Sequence, residues 1–198
     1  MLPEGAMAKK YSAPQHFARV KYTQADAASI ISQALLTLYN QPIVMPEDIL
    51  VLCIGTDRST GDSLGPLIGT NLTRSAAPFS VLGCLDHPVH AANLTQTLEL
   101  IQQNPPKWTV AIDASLGSID GVGTVNIGAG SLQPGAGVNK HLPLVGDAYI
   151  TGVVNVGGFM EYFVLQNTRL SLVVKMAEVI CSSLLAAFSG KQVMAGHR

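Results

Sequence analysis

Three aspartates follow two strongly apolar segments of the chain, and their positions indicate acid–base chemistry. Asp57 and Asp62 come after the run 49–54 (ILVLCI), and Asp113 ends the run 108–112 (WTVAI). Two carboxyl groups held close together do not both ionise easily, so one keeps its proton and acts as a general acid while the other activates water. Such a pair is sufficient for amide hydrolysis without a nucleophilic side chain. The alternative is that Asp57 and Asp62 only stabilise a turn, as Asx side chains commonly do in glycine-rich loops.

Two other kinds of site fit the same segments less well. The loop 55–63 (GTDRSTGDS) has one residue too many between its glycines for a phosphate-binding P-loop, and it has Asp62 where the lysine should be. A nucleophile elbow around Ser115 would need glycine two positions earlier, where the chain has Asp113. Nucleotide binding is therefore disfavoured. A serine hydrolase that uses Ser115 and a histidine remains an alternative.

A metal site would use Asp86, His87 and His90, with Asp62 or Asp113 as further ligands. Mixed nitrogen and oxygen ligands suit a borderline divalent ion. However, Pro88 lies between the two histidines and argues against placing both on one regular helix face. We therefore expect no cofactor, and a divalent metal on these residues is the alternative.

A glycine-rich segment, 128–137 (GAGSLQPGAG), is too long for a simple hairpin and predicts either a lid or binder of a substrate strand, or a surface loop. Asn139 and Lys140 follow it, and Lys140 would offer positive charge to a carboxylate or carbonyl group. Near the first aspartates, Gly55 would let the backbone approach a substrate closely.

The elements that must position these residues alternate between strands and helices. Apolar runs predict strands at 49–54, 79–85, 108–112, 123–127 and 148–156, and helical periodicity predicts helices at 24–40, 64–74, 91–103 and 159–188, the last broken at residues 167 and 168. This alternation predicts an α/β fold, a three-layer α-β-α sandwich with a mostly parallel central sheet. Ligands in such sheets bind beyond the carboxyl ends of the strands, where strand order reverses. The loops after Ile54 and Ile112 should therefore face each other.

The amino-acid composition limits the classes of partner that the chain is expected to bind. Charged residues are only 13% of the 198-residue chain, roughly half the ~25% of an ordinary soluble domain, and the net charge is −1. The basic side chains are scattered, so we expect no nucleic-acid binding. The apolar stretch 170–188 carries Lys175 and Glu178 near its centre, which a bilayer would make costly, so we expect no membrane association. Because the chain has few charged residues and a large apolar fraction, a homo-oligomer that buries part of its surface stays open.

We expect residues 1–20 to form a flexible N-terminal arm and residues 21–198 to form one domain, because the first twenty residues are polar and without period. They also lack the apolar segment of a signal peptide. The cysteines Cys53, Cys84 and Cys181 lie far apart within apolar runs, as is typical of buried thiols in a reducing cytoplasm.

Three segments resemble, in the same order, motifs of the bacterial spore germination protease. Residues 53–66 (CIGTDRSTGDSLGP) resemble its Gly-Leu-Gly-Asn and Thr-Pro-Asp-Ala-Leu-Gly-Pro motifs, and residues 110–114 (VAIDA) resemble its Ile-Asp-Ala-Leu motif. Residues 134–140 (PGAGVNK) resemble its Pro-Gly-Ser-Gly-Val-Gly-Asn-Lys motif. Over nearly its whole length the chain is similar to the short YyaC-type sporulation proteins related to that protease.

The resemblance implies a hydrogenase-maturation-protease-like, or phosphorylase/hydrolase-like, α/β sandwich from a sporulating bacterium. The proposed catalytic pair of the germination protease corresponds to Asp62 and Asp113, while Asp57 falls where the relatives have Asn. In the hydrogenase-maturation relatives, acidic and histidine ligands recognise the nickel of the substrate. Ser63 stands near the position of one such acid, which weakens the metal interpretation.

We therefore predict a sporulation-associated peptidase that hydrolyses a peptide bond in a protein substrate with Asp62 and Asp113. The predicted substrate-binding or supporting residues are Gly55, Asp57, Ser63, His90, Asn139 and Lys140. The expected location is the cytoplasm of the mother cell or forespore. The alternative is a non-catalytic peptide-binding or scaffold protein of the sporulation programme that uses the same crevice.

Overall fold

Six strands form one sheet at the centre of the structure, a computed structural model that describes residues 15–41, 45–135 and 142–189. The strands are β1 (Gln15–Lys21), β2 (Ile49–Cys53), β3 (Ser80–Leu82), β4 (Trp108–Gly117), β5 (Thr124–Ala129) and β6 (Ala148–Val156). Their order across the sheet is β1-β5-β6-β4-β2-β3. Strands β3, β2, β4 and β6 run parallel, while β5 pairs antiparallel with β6 and with β1. The predicted mostly parallel sheet is confirmed.

Helices cover both faces of the sheet. They are α1 (Ala27–Tyr39), α2 (Leu64–Arg74), α3 (Leu94–Gln103), α4 (Glu161–Gln166) and α5 (Leu170–Phe188). The larger core lies on one face, where buried side chains of α1, α2 and α5 pack against the sheet. On the other face, Leu94 of α3 packs against Leu52, Ile54 and Ala111. The three-layer α/β architecture in a single domain is therefore present.

The first strand of the parallel region is buried on both faces, which explains its continuous apolar sequence. All five residues of β2 are buried, and β2 lies between β3 and β4. The chain leaves β2 through α2 to β3 on one side, then returns through α3 to β4 on the other side. Strand order therefore reverses between β2 and β4, which are neighbours as predicted.

Apart from shifts of up to three residues at the ends of other elements, the described structure differs from the predicted elements at three places. Residues 15–20, expected in the flexible arm, belong to β1, an edge strand that buries only Val20 and so shows little apolar pattern. Strand β3 has three residues rather than the seven of 79–85. Strand β4 continues to Gly117 because its pairing with β6 extends past Asp113, with a register shift after Ser115.

Helix α5 is, within the described residues, the one helix whose length and composition would allow it to cross a membrane. Its apolar side chains are used inside the protein, where Val173, Met176, Ile180 and Leu184 are fully buried. The helix packs against α1 and α2. The core of the domain therefore accounts for the apolar character of α5.

Helix α2 packs closely against the end of β2 at Gly65, where the chain has no room for a side chain. A Cβ atom at Gly65 would lie 2.1 Å from the carbonyl oxygen of Ile54. Alanine favours a helix over glycine by about 1 kcal/mol. We nevertheless expect Gly65→Ala to lower the free energy of unfolding by about 2 kcal/mol, because the backbone must move to admit the methyl group.

Urea unfolding followed by circular dichroism measures this change. Arg74→Ala, on the exposed part of the same helix, is the matched control and should change the free energy of unfolding by less than about 0.5 kcal/mol. A Gly65→Ala variant as stable as the unaltered chain would contradict the close contact between α2 and β2.

Candidate functional site

Asp62 and Asp113 line one small cavity at the carboxyl edge of the sheet, at the switch point between β2 and β4. The cavity has a volume of about 70 Å³. That volume admits a water molecule or one peptide group, but it is well below the roughly 300–1,000 Å³ of a drug-sized ligand site. The structure therefore brings these two aspartates together at the edge of the sheet where the sequence predicts them.

Asp113 is buried within β4, with 7% of its surface exposed. Its Oδ1 accepts a hydrogen bond from the Ala114 amide at 2.9 Å, and its Oδ2 accepts one from the Gly135 amide at 3.3 Å. Burial, and next the negative charge of Asp62, raise the pKa of Asp113 to about 8, although the two amide bonds act in the opposite direction. At neutral pH Asp113 therefore carries a proton.

Asp62 is half-buried in a 3-10 turn, Gly61–Ser63, that leads into α2. Its backbone carbonyl accepts a hydrogen bond from the Thr56 amide at 3.1 Å. Gly55 makes this fold of the chain feasible, because a Cβ atom there would lie 2.0 Å from the carbonyl oxygen of Asp62 and the φ angle of Gly55 is +143°. Gly55 therefore brings the Asp62 turn against the end of β2.

His90 forms another part of the cavity wall. Its Nδ1 accepts a hydrogen bond from the Ala92 amide at 3.2 Å, and its backbone amide donates to Asn93 Oδ1 at 2.8 Å. A neutral imidazole whose Nδ1 accepts a hydrogen bond carries its proton on Nε2. His90 thus helps to begin α3, and its ring retains one N–H donor.

Asp57 and Ser63 were predicted to support the site, but neither lines the cavity. Asp57 is exposed, and its Oδ1 lies 3.5 Å from the hydroxyl group of Thr56. Ser63 is buried, and its hydroxyl group donates to the carbonyl oxygen of Thr60 at 2.7 Å. Both side chains therefore have local roles in the loop, which agrees with the turn interpretation of Asp57.

The glycine-rich segment contributes to the cavity through Pro134 and Gly135. Residues 130–135 are anchored by the hydrogen bonds between Leu132 and Val145. Asn139 and Lys140, the two predicted binding residues of this segment, lie outside the described residues. The amide of Gly135 was not predicted as part of the site, although it lies in the PGAGVNK motif.

The nucleophile-elbow alternative is wrong for Ser115. That motif requires a sharp turn from a strand into a helix, whereas Ser115 lies inside β4, which continues to Gly117. Ser115 does line the cavity, as does Leu165 of α4, which no sequence pattern had indicated.

The proposed metal ligands do not gather at the cavity. Asp86 and His87 are exposed and line a different groove, of about 1070 Å³, between β3 and α3. Only His90 belongs to both places. Over residues 15–41, 45–135 and 142–189, no group of three or more His, Cys, Asp or Glu side chains is arranged to hold a metal ion.

Comparison with known proteins shows which family the chain belongs to. The profile of the family described as "Protein of unknown function (DUF1256)" matches residues 19–183. The chain belongs to this family. A curated relative, "Uncharacterized protein YyaC" of Bacillus subtilis (strain 168), is 50% identical over 173 residues, covering 83% of this chain and 80% of that protein. The resemblance to YyaC-type proteins is confirmed, and the DUF1256 match contains Asp62, His90 and Asp113.

The pKa of Asp113 predicts how stability depends on pH in this DUF1256 protein. The folded-state pKa of about 8 lies above the ordinary value of 3.8, so between these values the folded chain binds one more proton than the unfolded chain. The contribution of Asp113 to stability is therefore complete below about pH 4 and is lost as the pH rises towards 8. Between pH 5 and 7 this group lowers the free energy of unfolding by about 1.4 kcal/mol per pH unit.

Asp113→Asn removes this titration, so we expect the difference in stability between the variant and the unaltered chain to shift in favour of the variant as the pH rises. Urea unfolding at several pH values measures the difference. The matched variant Asp120→Asn changes an exposed carboxylate and should give a curve parallel to that of the unaltered chain. A parallel curve for Asp113→Asn as well would contradict the raised pKa.

Proposed function

We propose that this chain is an aspartate-dependent peptidase that uses Asp62 and Asp113 to add water to a peptide bond. The observation that carries the proposal is a buried carboxyl group, its pKa raised by burial and by a negative neighbour, that shares one cavity with a second carboxyl group. An acid and a base kept in different protonation states by their surroundings form the usual equipment of acid–base catalysis. The resemblance of the three segments around these residues to the germination protease adds support.

Asp62, the more exposed of the two groups, is the general base in this mechanism. It takes a proton from water as the water oxygen bonds to the peptide carbonyl carbon. Asp113 donates its proton to the amide nitrogen as the carbon–nitrogen bond breaks, which releases an amine and a carboxylic acid. The proton held by Asp62 then returns to Asp113 through water, and both groups regain their starting states.

His90 supports the charge that develops on the substrate in this mechanism. As the tetrahedral intermediate forms, negative charge appears on the former carbonyl oxygen. The Nε2–H of His90 is the ring donor not occupied by the start of α3. Donation from His90 to the substrate oxygen would stabilise that charge without a change in the ring's protonation state.

The biological setting is proposed from the resemblance. We place the reaction in the cytoplasm of a sporulating bacterium, with a protein of the sporulation programme as substrate. Gly61 replaces the proline of the germination-protease motif, and one glycine is missing from the segment 134–140. Gly61 directly precedes the cavity residue Asp62, so we do not propose the germination protease's own substrate for this chain.

Incubation of the purified chain with a protein extract from sporulating cells, followed by labelling of new N-termini, tests the proposal. We expect a defined set of new termini. Asp62→Asn and Asp113→Asn should each lower the cleavage rate by about 100-fold or more, because each removes one proton-transfer group. Circular dichroism establishes that both variants remain folded.

Asp120→Asn is the matched control and should cleave at the unaltered rate, since Asp120 is exposed and does not line the cavity. The incubation is run with chelator and with added divalent metal. An extract left uncut in both conditions would overturn the peptidase proposal and favour the non-catalytic peptide-binding protein. Cleavage that survives Asp113→Asn would overturn the assigned mechanism.

A further inference from the structure

The turn between β6 and α4 exposes four large apolar side chains, which we call the apolar patch. Phe159 is 88% exposed, Met160 and Phe163 are each 53% exposed, and Tyr162 is 60% exposed. Single exposed apolar side chains are ordinary on soluble proteins, whereas several in one place mark binding surfaces. Aromatic side chains and methionine are also the residues most enriched in such surfaces. The apolar patch therefore has the composition of a docking site.

The apolar patch is held by its own hydrogen bonds. The amide of Gly158 donates to Glu161 Oε1 at 3.0 Å, and Asn155 Nδ2 donates to the carbonyl oxygen of Val164 at 3.2 Å. Met160 has the left-handed backbone conformation, with a φ angle of 56°, which is uncommon for a residue other than glycine. The patch is therefore presented in a fixed orientation.

Helix α4 connects the apolar patch to the cavity. Tyr162 and Phe163 are exposed on this six-residue helix, whereas its Leu165 is buried and lines the cavity. The same leucine packs against the turn that carries Asp62, since a Cβ atom at Gly61 would lie 2.8 Å from Leu165 Cδ2. The helix that carries two residues of the patch therefore also supplies part of the cavity wall.

We propose that the apolar patch docks an extended, apolar segment of the substrate protein next to the peptide bond that enters the cavity. This inference rests on the proposed peptidase function and specifies its substrate class. The substrate would carry aromatic or aliphatic side chains on one side of the cleaved bond, within a segment that is unfolded or exposed.

The size and charge of the patch favour a peptide segment over other occupants. With about 200 Å² for a complete large side chain, the four residues expose roughly 500 Å². A stable dimer buries about 800 Å² on each partner, so the patch is too small for one by itself. The charged side chain within residues 156–163 is Glu161, which gives no attraction to an anionic lipid surface.

Fluorescence anisotropy with two short labelled peptides tests the inference. The peptides differ only in carrying leucine and phenylalanine, or serine, at the same positions. Binding is measured on the full chain with Asp113→Asn, so that neither peptide is cut. We expect the apolar peptide to bind at least about tenfold more tightly than the serine peptide. The pair Phe159→Ser and Phe163→Ser should weaken its binding by about tenfold or more, as loss of interface aromatics does.

Leu100→Ser is the matched control, because Leu100 is 61% exposed on α3 and does not line the cavity. It should leave binding unchanged. Equal affinity for the two peptides, or unchanged affinity after the Phe159 and Phe163 substitutions, would overturn the inference. The inference would also be overturned if the Phe159 and Phe163 substitutions left peptide binding intact but abolished self-association in sedimentation. The same holds if they left peptide binding intact but abolished binding to phosphatidylglycerol vesicles.

The extract cleavage assay separates this inference from the proposed function. If new N-termini appear and the Phe159 and Phe163 substitutions do not change the rate of cleavage, the docking inference fails while the peptidase proposal is supported. If no termini appear while the apolar peptide still requires the patch, the peptidase fails and the patch is a peptide-binding surface.

Discussion

The carboxyl group of Asp113 lies inside the edge of the sheet, and its removal from water constrains everything around it. An ionised carboxylate in such a place costs several kcal/mol, on the order of the whole stability of a small domain. Two backbone amides, from Ala114 and Gly135, offset part of that cost but leave the pKa raised. The less costly solution at neutral pH is to keep the proton on Asp113, and this gives the cavity an acid.

The rest of the site follows from bringing a second carboxyl group near this one. The sheet does so through its strand order, because β2 and β4 are neighbours at the point where the chain reverses direction across the sheet. Close contacts then set the local position of Asp62. Gly55 touches the Asp62 carbonyl from one side, and Leu165 of α4 packs against Gly61 from the other. Small residues at these points allow three separate chain segments to converge on a cavity the size of a peptide group.

Much of the fold could be predicted because fully buried strands have a distinctive sequence. The apolar runs that begin β2 and β4, and the whole of β6, lie where the sequence placed them, and they bring Asp62 and Asp113 to one edge. Residues 15–20 were missed because an edge strand buries little and shows little pattern. The full length of β4 was missed because its continuation depends on pairing with β6, which is distant in sequence.

The fine structure of the site was less predictable. Asp57 and Asp62 lie in the same loop and look alike in sequence, and only the packing of that loop separates an exposed turn residue from a cavity residue. The apolar patch could not be predicted either, because Phe159 and Phe163 lie in the segment 159–188, whose apolar periodicity predicts a helix. Which apolar side chains are covered is a property of the packed structure.

A carbon-13 NMR titration of the Asp113 carboxyl group in the folded chain, assigned by comparison with Asp113→Asn, tests directly whether this group holds a proton at neutral pH. We expect Asp113 to ionise with a pKa of about 8. In Asp62→Asn the midpoint should move to lower pH, because one negative neighbour is gone, yet stay well above the ordinary value because burial is the larger cause. An Asp113 that ionises near pH 4 in the folded chain, as an exposed aspartate does, would show that this group does not hold a proton at neutral pH.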